Sequence, residues 1–164
     1  MKGQLSYEYY LSIFIFVIFI IYIILQVVYT LPNYELKIKE QQLKSEAYQL
    51  SEMLVNDPGE PINWNITHVK RVGLSDETKN KTNLLSIQKI RNLSLYCSSN
   101  YQDLCDKLGI IDYQFALNIT DVKTNSLLVN CHPPQIISRR QKERITRIAA
   151  INSTDYVEII LEVW

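Results

Sequence analysis

Glycine is scarce, with four in 164 residues and none between Gln4 and Asn56. Over that stretch only Pro32 can kink or interrupt a helix. The apolar residues 9–31 also lack the small-xxx-small seam that helps helices approach closely in lipid. Neither sign of charge is in excess: 17 Lys and Arg balance 17 Asp and Glu. That balance argues against a general nucleic-acid binder, which is usually strongly basic. The three cysteines are odd in number, so at most one bridge closes within the chain. No C-x-x-C occurs, which argues against a structural zinc site. Of the two histidines, His132 adjoins Cys131. Neighbouring residues of a strand point to opposite faces, so the two do not suit a shared metal. H-E-x-x-H, P-loop, G-x-G-x-x-G and G-x-S-x-G patterns are all missing. A Ser-His-Asp arrangement is spatial rather than sequential, and nothing in the sequence favours one. The expectation is a chain that is not an enzyme and uses no cofactor.

What is present is a long hydrophobic run. Tyr9 to Leu31 is apolar except for Ser12, Gln26 and Thr30. About 20 such residues span a ~30 Å hydrocarbon core. A secretory signal peptide has a shorter apolar core and a small-residue cleavage site; here LPNYELK follows. A retained single-pass anchor is the better reading. Orientation is contested. Lys37, Lys39 and Lys44 follow the span and only Lys2 precedes it, which leans towards the C-terminal part inside. Five N-x-S/T sequons, at Asn65, Asn80, Asn92, Asn118 and Asn152, point instead to an exported surface that bears glycans.

The helix continues past the run. Leu36, Leu43, Ala47, Leu50 and Leu54 form one apolar stripe, and the turn formers DPGEP (57–61) end it. The pattern predicts one helix from about Ser6 to Val55, roughly 75 Å long at 1.5 Å per residue, apolar all round in its first half and amphipathic in its second. Beyond it, Thr82 or Asn83 can cap a helix through LLSIQKIRNL, and a short helix from Tyr101 to Leu108 ends at Gly109. DYQFALNIT, SLLVNC, RITRIAAI and YVEIILEVW then read as strands. In the last, Val157, Ile159, Leu161 and Val163 point one way and Glu158 and Glu162 the other. The fold class is α+β: the long helix packed on a small antiparallel sheet with one or two short helices. Cys97 and Cys105 flank a turn and are the first candidate pair for a disulfide, the alternative being three buried thiols. The basic cluster SRRQKERITR (138–147) is either a solvated loop leading into an alternating strand or a patch for DNA uptake or a polyanionic surface. Trp64 either pins its loop to the core or stacks on carbohydrate.

Glu8 stands at the mouth of the apolar run, where a carboxylate is costly unless it lies at headgroup depth or finds a positive partner. The residues around it, MKGQLSYEYYL, resemble the class III signal peptide of archaeal type IV pilin-like proteins: Lys2, Gly3 and Gln4, then Ser6, Glu8 and the apolar Leu11. PGEPINW, VGL, KLGI and the strand ending in Trp164 are looser similarities. The resemblance implies a leader of residues 1–3, cut by a prepilin peptidase between Gly3 and Gln4 on the cytoplasmic side. It also implies a helix of residues 4–56 whose segment 9–31 is both anchor and polymerisation domain, and an extracytoplasmic head of residues 57–164. Glu8 would then meet the freed amino terminus of a neighbouring subunit, removing two lone charges from an apolar interior together. The implied partners are the peptidase, other pilin subunits and membrane lipid before assembly, with no nucleic acid. The implied product is a cell-surface filament with a structural or adhesive role. The alternative is a single-pass, membrane-anchored binding domain that does not polymerise. An anchored hydrolase is a third reading, for which the sequence offers no site.

Overall fold

The structure is a computed structural model that describes residues 2–76, 83–135, 141–151 and 154–164, with the side chains of the first helix described from Tyr7 onward. The architecture is α+β. Helix α1 runs Lys2–Asn56 without a break at Pro32. It is followed by α2 (Ile87–Ser99), α3 (Tyr101–Lys107) and strands β1 (Phe115–Asp121), β2 (Leu127–Cys131), β3 (Glu143–Ala150) and β4 (Tyr156–Val163). By internal contacts one unit ends at Gln41 and a second comprises Gln42–Trp164, so the end of α1 belongs to the head.

In the head, the strands form one antiparallel sheet in the order β2-β1-β4-β3. Period-two alternation sets its faces. Phe115, Leu117 and Ile119 of β1 lie opposite Val163, Leu161 and Ile159 of β4, and all six are buried. Glu158 and Glu162 fall on the other face, as the sequence predicts. Leu43, Ala47, Leu50, Leu54 and Val55 of α1 join the same core as Ile90, Leu93 and Leu104 from the short helices. The predicted stripe therefore buries from Leu43 onward; Leu36 is exposed.

Arg147 ties the sheet to the helix. It lies on the inner face of β3, where its Nε donates to Ser51 Oγ at 2.8 Å and its Nη2 to Glu52 Oε1 at 2.6 Å. Its guanidinium also stacks 4.9 Å from the Tyr48 ring centroid. In the strand end of the basic cluster, Arg147 is thus a structural clamp. Arg144 is exposed, Lys142 sits 4.6 Å over the Trp164 ring, and residues 138–140 lie outside the described residues.

The segment after α1 folds back as a strap. Leu74 N donates to Leu54 O at 2.9 Å, and Ser75 N to Asp57 O at 3.1 Å. Trp64 is buried beneath the strap with its Nε1 donating to Gly73 O at 2.7 Å, so it pins the loop and has no face open for a sugar. Lys89 is buried too, its Nζ donating to Pro58 O at 2.6 Å and Ser75 O at 2.7 Å. Those carbonyls replace the water that a buried ammonium loses.

Two expectations are corrected. Helix α2 starts at Ile87, later than LLSIQKIRNL implies, because Leu84 and Leu85 bridge to Ala150 and Ser75 instead; its N-cap is Ser86. Thr82 lies outside the described residues. The disulfide joins Cys97 to Cys131, not to Cys105, which is a buried free thiol. Cys97 lies on α2 and Cys131 ends β2, and packing of that helix against that strand brings them within 5.7 Å Cα to Cα. A bond of this span suits disulfide geometry.

Candidate processing and assembly segment

Gly3 and Gln4 lie in the first turn of α1, and Glu8 is exposed on its second. From Tyr7 to Gln41 every residue is exposed within the chain. The run includes Phe14 and Phe16, each 64% exposed, and Ile20 at 40%. Its most apolar 18 residues have a mean hydropathy of 3.0 and none is buried, and the helix is long and apolar enough to cross a membrane. Sixteen of the 23 residues from Tyr9 to Leu31 are Ile, Leu, Phe or Val. At about −0.3 to −0.6 kcal/mol each they contribute roughly −5 to −10 kcal/mol to membrane insertion. Left in water, the same surface is an aggregation hazard. Tyr9 and Tyr10 at one end and Tyr29 and Tyr34 at the other suit the two headgroup regions.

The polar side chains in this segment bond along the helix. Gln26 Nε2 donates to Tyr22 Oη at 3.0 Å. Thr30 Oγ1 donates to Gln26 O at 2.8 Å and lies 3.2 Å from Val27 O. Such back-bonding shields part of a hydroxyl in an apolar setting.

The sequons differ in context. Asn65 is exposed in a turn, its Oδ1 accepting from Thr67 N and His68 N, each at 3.1 Å. Asn92 is half-buried on α2, and its Nδ2 donates to Trp64 O at 3.1 Å. Asn118 lies within β1, a strand paired on both sides, and its Oδ1 is buried with no hydrogen-bond partner among the described residues. Asn80 and Asn152 lie outside the described residues. Of the described three, Asn65 offers the most accessible amide. Among the described residues no three His, Cys, Asp or Glu side chains gather as metal ligands.

Burial and the Asp103 carboxylate, which accepts a hydrogen bond from Tyr96, push the Tyr96 hydroxyl well above its ordinary range. Burial likewise raises the Cys105 thiol. Both belong to the core of the head. Sequence reasoning missed the Arg147 clamp and the Lys89 site, which only the fold brings against their carbonyl and carboxylate partners.

No known protein family matches the chain. Neither a curated protein nor a solved structure matches it.

Proposed function

We propose that the chain is an archaeal type IV pilin-like precursor. A prepilin peptidase cuts it after Gly3, segment 9–31 holds it in the membrane, and the hydrophobic helix then packs with other subunits in a surface filament. The role is structural or adhesive rather than enzymatic, with the head outside the cytoplasm. One observation carries this reading: a helix that begins with Lys2-Gly3-Gln4 and Glu8 is exposed within the chain from Tyr7 to Gln41, apolar on nearly every face over segment 9–31, and ends in the core of an α+β head. A helix of that kind needs an apolar partner all round, which lipid supplies first and other subunits supply on assembly. Glu8 then needs a cation, and cleavage creates one at Gln4.

The test is peptide mass analysis of surface filaments. Mature chains beginning at Gln4 are expected, and Gly3→Phe is expected to leave uncut precursor in the membrane. Filaments built of chains that retain Met1 would overturn the proposal. A processed chain never found outside the bilayer as a polymer would favour the anchored, non-polymerising reading.

A further inference from the structure

The Cys97–Cys131 bond joins two short stretches that together line a cavity of about 640 Å³. One wall is residues 97–102, where α2 gives way to α3; the other is residues 130–134, where β2 ends. The volume lies within the ~300–1,000 Å³ of small-ligand sites. Both walls are held. The disulfide fixes them to each other. Beyond it Pro133 is buried, and it and Pro134 each lock a backbone dihedral. The far end of that wall is tied as well, where Gln135 O accepts from Gln114 Nε2 at 3.1 Å. A site whose walls are set in advance loses less freedom on binding.

The composition of the lining selects its ligand. Among the described residues it holds no Asp, Glu, Lys or Arg and no aliphatic side chain, in a chain that is 21% charged. Such a lining does not suit a phosphate, a sulfate, a carboxylate or an amine, and it offers nothing to an apolar peptide side chain. What it offers is unused hydrogen-bonding capacity. The side chains of Gln102, Asn130 and His132 are exposed and make no hydrogen bond among the described residues. Asn100 Oδ1 accepts from Asp103 N at 3.1 Å, which leaves its amide protons. Ser98 and Ser99 donate to Ser94 O and Tyr96 O, which leaves their oxygens to accept.

We propose that this cavity binds a neutral saccharide. A carboxamide carries a donor and an acceptor side by side, and neighbouring sugar hydroxyls, each both donor and acceptor, match that pair. Three carboxamides, an imidazole and two hydroxyl oxygens around one cavity suit a ligand hydroxylated on several sides. A peptide backbone, with one donor and one acceptor per residue, is not such a ligand. His132 and Pro134 are exposed, and their rings give the C–H side of a sugar a flat surface. Trp64 is closed to this use; the disulfide end of the head is open. The inference goes beyond the proposed function, because every lining residue belongs to the unit Gln42–Trp164 and the site is present whether or not chains polymerise.

The experiment applies the full chain, in mild detergent, to an array of neutral oligosaccharides of glucose, galactose, mannose and N-acetylglucosamine. Sialylated and sulfated counterparts and uncharged serine- and glycine-rich peptides stand beside them. Neutral glycans are expected to retain the chain, and calorimetric titration with the best of them gives the affinity. Gln102→Ala, Asn130→Ala and His132→Ala are each expected to weaken it by about 2- to 12-fold, the range for one lost neutral hydrogen bond. Thr146→Ala, exposed on β3 at the far edge of the sheet, should leave it unchanged. All four side chains are exposed, so the unfolding midpoints of these variants should match the parent's. No neutral glycan retained, retention of sialylated or sulfated glycans alone, peptides bound as well as glycans, or an affinity indifferent to the three substitutions would overturn the proposal.

Discussion

Replacing Gly73 by alanine is expected to destabilise the head strongly. An added Cβ at Gly73 would lie 2.2 Å from Asp57 O and 2.6 Å from Gly59 N. Both are backbone atoms of the strap, and the Asp57 carbonyl is already held by Ser75 N. Neither can step aside as the tip of a side chain could. Overpacking of this kind costs about 1–3 kcal/mol. Shifting Gly73 also pulls its carbonyl from Trp64 Nε1, and a buried indole N–H without a partner costs about 1–3 kcal/mol more. The sum, about 2–6 kcal/mol, is a large share of the roughly 5–15 kcal/mol that holds a domain folded. Urea unfolding of the full chain in mild detergent would follow the fluorescence of Trp64 and Trp164, both 2% exposed. With a slope of about 1.5 kcal/mol per molar, the midpoint should fall by about 1.5–4 M. Gly109→Ala is the control: its φ is +73° but nothing lies within 4 Å, so only the left-handed backbone penalty of about 1–2 kcal/mol applies. A Gly73→Ala midpoint within 0.5 M of the parent, an allowance of about 1 kcal/mol, would refute the reasoning.

Serine at Cys97 or Cys131 opens a loop of 34 residues and should destabilise the head by about 3–4 kcal/mol, measurable in the same unfolding assay. Under non-reducing digestion a Cys97–Cys131 peptide is expected, and Cys105 should alkylate only after unfolding, since burial both shields its thiol and raises it. The Glu52 carboxyl is held below its usual range, first by a hydrogen bond from Tyr48 and then by Arg147. A lowered acid stabilises the fold above its unfolded value and loses that effect as pH falls through the folded one. Glu52→Gln should therefore lag the parent at neutral pH and converge with it in acid; a pH-independent gap in unfolding midpoints would contradict this. Arg147→Ala should cost about 1–3 kcal/mol by removing a charged donor from Ser51 and Glu52. Lysine at both Ile20 and Ile24 adds about 6–8 kcal/mol against insertion and should abolish membrane retention on alkaline extraction.

The strands were legible because alternation survives in this sheet: in β4 each odd position from Val157 to Val163 is apolar and buried. Helix α1 was legible because no other element needs 23 consecutive residues of this composition. The start of α2 was not, since Leu84 and Leu85 continue its apolar spacing while pairing as isolated bridges with distant segments. Cysteine pairing failed for a related reason. Cys97 and Cys105 are near in sequence but belong to two different helices, and the partner of Cys97 arrives through the packing of α2 on β2. Long-range polar contacts such as Arg147 with Ser51, or Lys89 with Pro58 and Ser75, have no local signature at all. At the candidate site the apolar run, Gly3 and Glu8 could be read directly, because a helix expresses its pattern without help from the rest of the chain.

The last turns of α1 are at once the end of the tether and a wall of the head's interior, through Leu43, Ala47, Leu50 and Leu54. A head cut free at residue 57 would therefore lack part of its own interior, and only a fragment that keeps residues 42–56 should hold the four-stranded sheet closed.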